Sequence, residues 1–190
     1  ASSDAEVEQL VRVLAARSGS EERRFDRGSP AVNLQLSDGS RLFAVMALTA
    51  GGRPSIAIRR HRYRTVDLPQ LRDLGMIDSR LADVLRALVR ARKNLLVTGG
   101  TALGKTTLLR GLASVIDPSE RLVTIEDALE LDLDRDPSLH PDVVALQARE
   151  ANIEGQGAVS QAELVRWALR MSPDRVLVGE IRGPEVVPMC

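Results

Sequence analysis

Gly99-Gly100-Thr101-Ala102-Leu103-Gly104-Lys105-Thr106-Thr107 is the stretch on which the fold of this 190-residue chain turns. It fits G-x-x-x-x-G-K-[ST], a loop whose backbone N–H groups wrap a row of phosphates. The flanks supply the context such a match needs. Before it, Asn94-Leu95-Leu96-Val97-Thr98 is a short apolar run of the length of a buried strand. After it, Leu108, Leu109, Leu112, Val115 and Ile116 recur at helical spacing until Pro118 ends the run. Strand, glycine loop and helix stand in the order that brings loop amides and the positive end of a helix onto one anion. Lys105 is then placed to reach the β- and γ-phosphates, and the Thr106 hydroxyl to hold Mg²⁺. Ala102 and Leu103 depart from the small, flexible residues common in such loops. A left-handed backbone at Ala102 would strain it modestly.

Composition sharpens this reading. Two of the 26 basic residues are lysines, Lys93 and Lys105, and the rest are arginines. A chain that otherwise avoids lysine places one where the loop needs a compact ammonium, which arginine's rigid fork cannot replace. Basic and acidic residues balance at 26 each, so no overall field draws the chain to nucleic acid. Hydrophobic residues make up 44% of the chain and aromatics 2%, so the core must be built from Leu, Val, Ile and Ala. The one cysteine, Cys190, cannot form an internal disulfide, which fits a reducing compartment. With no apolar run of about 18 residues and no signal-peptide pattern, the chain reads as soluble and intracellular.

Upstream of the loop, Ser3 to Arg17 reads as an amphipathic helix with Ser3 and Glu6 as a capping box and Gly19 as its stop. Val32, Leu34 and Leu36 then alternate, Asp38-Gly39 turns, and Arg41 to Leu48 and Ser55 to Arg59 continue as strands. Residues 1–65 thus form part of a small α+β domain. The basic run Arg59-Arg60-His61-Arg62-Tyr63-Arg64 lacks the aromatic interleaving of a nucleic-acid patch, and one or two of its arginines are expected to face a nucleotide in the neighbouring domain. Residues 66–77 read as a linker with a short helix, and 78–190 as the nucleotide domain, opening with a helix from Ser79 to Arg92.

Downstream, Leu122-Val123-Thr124-Ile125 is a second buried-type strand with Glu126 and Asp127 at its C-terminal end, where ligands sit in open α/β sheets. Glu130, Asp132, Asp134 and Asp136 alternate, but Pro137 and Val143 stand where a calcium loop needs Gly and Glu, so a solvated edge strand is expected. His140 reads as a loop histidine. Ser160 to Met171 is a helix with Ser160 and Glu163 at its start, and Arg175 to Glu180 is a third buried strand ending in a carboxylate. That strand is expected beside the one before the loop, delivering an acid to the γ-phosphate; Glu there suits a water-activating base.

Assembled, these segments resemble the ATPases of the type II/type IV secretion superfamily (GspE-like), most of all the Flp/Tad pilus (CpaF-like) branch. Gly99 to Thr107 resembles the Walker A loop and Thr124 to Leu131 the acidic box. Leu164 to Arg175 resembles the segment leading to Walker B, and Val178-Gly179-Glu180-Ile181-Arg182-Gly183 Walker B itself. Ser37 to Arg41 and Ile56 to Arg60 resemble the end of the family's N-terminal domain. The resemblance implies an α/β fold, a RecA-like P-loop core preceded by part of a small α+β domain. It further implies ATP and Mg²⁺ as ligands and a hexameric ring. The ring would work with inner-membrane pilus or secretion platform proteins, without nucleic acid, in the cytoplasm at the inner membrane. By the same carry-over Glu180 is the catalytic base and Glu126 orders water and Mg²⁺. Arg41 and Arg59 reach the γ-phosphate, and Arg182 belongs to the nucleotide site. The family continues past Walker B into a histidine-containing box, so the chain is expected to be truncated. Two other readings stand beside this one: a nucleotide-binding remnant without hydrolysis, and another P-loop enzyme such as a small-molecule kinase, for which no substrate lid is found.

Overall fold

Helix α1 (Asp4–Arg17) starts on the capping box expected for it: Ser3 N–H donates to Glu6 Oε2 at 2.6 Å, and Glu6 N–H to Ser3 Oγ at 3.3 Å. The computed structural model describes residues 3–17, 24–60, 65–149, 151 and 155–181. Gly19, His61 to Arg64, Arg182 and Cys190 therefore lie outside the described residues. The chain divides into two compact units, residues 1–62 and 63–190.

In the first unit, β1 (Ala31–Gln35), β2 (Arg41–Val45) and β3 (Ser55–Arg59) form an antiparallel meander in the order β1-β2-β3. The β1–β2 turn is closed by Asp38, whose Oδ1 accepts the Ser40 N–H at 2.9 Å. Alternate residues Val32, Leu34, Leu42 and Ala44 point to one face and pack with Val11, Ala15, Phe25 and Met46. β2 stops at Val45, short of the expected Leu48, because Ala47 adopts a left-handed φ of 62° that turns the chain.

The second unit is a layered α/β structure. Its sheet runs β5-β4-β6, all parallel, from β4 (Leu122–Glu126), β5 (Val143–Gln147) and β6 (Arg175–Val178). β4 is central and every residue of it is buried, as its uninterrupted apolar run requires. Val123 and Ile125 pack against Leu164, Val165 and Ala168 of α5 (Gln161–Ala168). Leu122 and Leu177 instead join a core with α2 (Leu68–Asp73), α3 (Ser79–Arg90) and α4 (Lys105–Ala113). Helices thus cover both faces. Among the described residues no helix is long and apolar enough to cross a membrane.

Residues 66–77 hold the short helix expected there: α2 carries a capping box between Asp67 and Gln70, and Leu68 and Leu71 are fully buried in the core. Several expectations need correcting. Asn94 to Thr98 joins no ladder among the described residues, and Leu96 is 78% exposed. An apolar run becomes a strand only where a neighbour offers its edge. β6 pairs with β4 and forms no ladder with that stretch, so the expected pairing of the two is not made among the described residues. β5 is a strand that the sequence reading passed over. The acidic alternation from Glu130 to Asp136 is not an edge strand: Asp132 has φ 51°, and a 3-10 turn follows over Leu133–Arg135. His140 does lie in a loop, but it is buried, and burial holds its pKa below the ordinary imidazole value.

An ionic cluster fixes the N-terminal ends of the parallel strands. Arg175, the first residue of β6, forks onto Glu120 at 2.7 and 3.0 Å and donates to the Val89 carbonyl at the end of α3 at 2.8 Å. Arg121 bridges Asp142 ahead of β5 at 2.9 Å, and its own N–H donates to Asp174. These bonds set the relative heights of β4, β5 and β6, and hence of the residues at their opposite ends.

Candidate nucleotide site

The loop Gly99 to Gly104 runs into the N-terminus of α4, with Gly104 at φ 82° as the residue before the first turn. Glycine suits this left-handed backbone, which strains any side chain; an added Cβ would fall 2.8 Å from the Met76 Cε, the flexible end of a side chain that could swing aside. Ala102 is also left-handed, at φ 60°, so the strain expected from the sequence is present. Thr101 and Leu103 are exposed in the turn, and Thr107 is half-buried in the first turn of α4. Lys105 folds back over the loop. Its Nζ donates to the carbonyls of Gly100 at 2.6 Å and Gly99 at 3.0 Å. The ammonium therefore sits against the backbone of the loop that leads into the helix N-terminus. That combination suits a polyanion: fixed N–H dipoles, a helix N-terminus and one compact cation.

Beside this loop lies the end of β4. Glu126 is 2% exposed, and its Oε2 accepts the N–H groups of Glu130 at 2.7 Å and Leu131 at 2.9 Å. Burial pushes its pKa up to about 7. The two N–H bonds pull it down and the nearby Glu130 and Asp132 push it up further. Its side chain also rests on the end of β6, where Gly179 leaves room: a Cβ on Gly179 would meet Glu126 Cγ at 2.9 Å. Glu126 thus shapes the turn that follows it, and the carboxylate that reaches the loop belongs to Glu130. Thr106 Oγ1 donates to Glu130 Oε2 at 3.4 Å. The sequence reading placed Glu130 in a solvated strand; it is buried, as is Asp132. A signal was available, because Glu130 lies within the acidic box and falls four residues after Glu126, the span of one tight turn.

Asp127 accepts the Gln161 side-chain N–H at 2.9 Å, tying the end of β4 to the start of α5, where Ser160 and Glu163 form the expected capping box. Glu180 follows β6 by two residues and is half-buried. Arg41 and Arg59 belong to the first unit, where they stand directly opposite each other on β2 and β3. Arg182 lies outside the described residues. The donor set at Thr106 and Glu130, a hydroxyl beside a carboxylate, consists of hard oxygens of the kind Mg²⁺ prefers. Among the described residues no cluster of His, Cys, Asp and Glu makes a separate metal centre.

The family described as Type II/IV secretion system protein matches residues 2–190. A Mycobacterium tuberculosis protein named for conjugal transfer is 42% identical over 189 residues, covering 96% of this chain and 51% of its own length. The Bordetella pertussis type IV secretion system protein PtlH is 47% identical over 103 residues, 54% of this chain and 29% of that protein. The solved VirB11 ATPase of the Brucella suis type IV secretion system, in complex with sulphate, is 28% identical. It covers 86% of this chain and 52% of its own, with a TM-score of 0.46. The chain spans 51% of the length of that Mycobacterium tuberculosis relative, and 25% and 52% of two others that it matches over more than nine tenths of its own length. With its glycine loop, acidic turn and carboxylate-bearing strand in this order, the chain belongs to the type II/IV secretion system protein family and has its P-loop α/β fold.

Proposed function

We propose that this chain is the nucleotide-handling part of an ATP-driven motor subunit for secretion or pilus assembly. The observation that carries the reading is the Lys105 ammonium held inside the Gly99–Gly104 loop while Thr106 meets Glu130 at its edge. Triphosphate would replace the two loop carbonyls as the partner of Lys105, exchanging neutral acceptors for charged ones. Thr106 would hold Mg²⁺ from the protein side, with Glu130 beside it. When bound there, Mg²⁺ would supply positive charge against the charge that develops on the phosphates during transfer. Glu180 would take a proton from the attacking water, and Glu126 would support the acidic turn from below. Arg41, Arg59 and Arg182 would add cations against the γ-phosphate on closure.

Relatives named for conjugal transfer and for type IV secretion support a role in such a system. Moving pilus subunits would be one such task, and the whole protein would act as a hexameric ring with inner-membrane partners. The Flp/Tad pilus branch remains the finer assignment. Steady-state ATP hydrolysis by the full-length protein tests this. Glu180→Gln should keep ATP affinity and lose turnover by roughly 10²–10⁴-fold if Glu180 is the general base. Normal turnover in Glu180→Gln would overturn its role, and retention of bound nucleotide without turnover in the parent would favour a non-hydrolysing binder.

A further inference from the structure

Glu130 reaches Thr106 because its peptide group is gripped from two sides. Its N–H donates to Glu126 Oε2 at 2.7 Å, while its carbonyl accepts from Arg110 Nη2. Arg110 lies in α4 one helical turn beyond Thr106 and is 4% exposed. The same Nη2 lies 3.5 Å from Asp132 Oδ2, and Asp132 is held in turn by Arg135 at 2.9 Å. One guanidinium therefore ties α4, which carries Thr106, to the turn that carries Glu130. A cation so deeply buried is costly unless it is matched, and here it is matched by a carbonyl and a carboxylate. That one nitrogen joins α4 to the turn whose Glu130 side chain meets Thr106.

From this we infer that Arg110 is a positioning residue: it sets the distance between Thr106 and Glu130, and so the Mg²⁺ dependence of nucleotide binding, without touching the nucleotide. The inference rests on the proposed ATP site. Phosphate binding by the loop amides and Lys105 needs neither Arg110 nor Glu130, so the effect should be confined to the metal's share of the affinity. Partners that orient a metal's ligands typically matter by about 10–100-fold in metal affinity.

The test is to measure the Kd of ATPγS for the chain by calorimetry, with excess Mg²⁺ and with EDTA, in the parent and in Arg110→Met. In the parent, Mg²⁺ should tighten binding. In Arg110→Met that gain should fall by about tenfold while the EDTA value stays within about twofold. Arg110→Lys keeps a buried cation but loses the fork, and should show a smaller loss of the same kind. It is the variant to read if the methionine protein does not fold. Placing Arg110→Met or Arg110→Lys on a Glu130→Gln background should then add little, because both act on one contact. An unchanged Mg²⁺ gain, an equal loss with and without Mg²⁺, or additive losses in the double variants would overturn the inference. Failure of the parent to bind ATPγS at all would instead sink the proposed site.

Discussion

Gly179 and Glu126 share one space: the buried carboxylate side chain of β4 lies where a side chain on the residue after β6 would have to go, 2.9 Å from an added Cβ. The end of β6 is therefore shaped to admit the Glu126 side chain. Gly179 also donates its N–H to the Ile125 carbonyl at 2.9 Å, so neither strand end can shift independently.

Gly179→Ala should consequently push Glu126 out of place. Overpacking of this kind costs about 1–3 kcal/mol. Chemical denaturation should show that loss, together with a weaker Mg²⁺ contribution to nucleotide affinity. A variant as stable as the parent would mean that Glu126 can move aside freely.

Stability should also follow the titration of Glu126. Its folded pKa of about 7 lies above its ordinary value of 4.5, so the folded state binds this proton more tightly than the unfolded chain. Its contribution is fully present below pH of about 4.5 and is lost as pH rises through about 7, where the buried carboxylate must ionise. The span corresponds to an effect on the order of 3 kcal/mol. Glu126→Gln keeps an oxygen acceptor for the two N–H groups and should flatten the decline between pH 5 and pH 8. Unfolding curves at several pH values measure it, and identical slopes in both proteins would contradict the assignment.

Ala102→Gly should relieve the left-handed strain at φ 60°. The expected gain is about 0.5–1 kcal/mol, because part of the relief of about 1–2 kcal/mol is offset by the freer unfolded chain. Thermal melts without nucleotide read this directly. A clear loss of stability would show that the Ala102 methyl group makes a contact that matters.

Much of this was legible in the sequence. Local signals survived intact: the capping boxes at Ser3 and Ser160, the Asp38-Gly39 turn, and the apolar runs that became β4 and β6. What failed depended on distant partners. Asn94 to Thr98 has a strand's composition, but no pattern within it says whether an edge will be offered. Glu130 and Asp132 look solvated by charge alone, and are buried because Arg110, some 20 residues earlier, comes in beneath them. An arginine on the buried face of a helix reads as an interruption of the stripe until its partners are known. The Val143–Gln147 strand was missed because the acidic stretch before it dominated the reading.

On the proposed function, Lys105 serves a phosphate ligand and not the fold. Its Nζ touches only exposed loop carbonyls among its described bonds, so Lys105→Ala should leave the unfolding midpoint unchanged. Titration of Mg·ATPγS into the chain and into Lys105→Ala tests this most directly. The account predicts measurable binding by the parent and a loss of at least about tenfold in the variant, the worth of one charge-assisted contact. Equal affinity in the two proteins, or a fold that collapses when the lysine is removed in the absence of nucleotide, would contradict it.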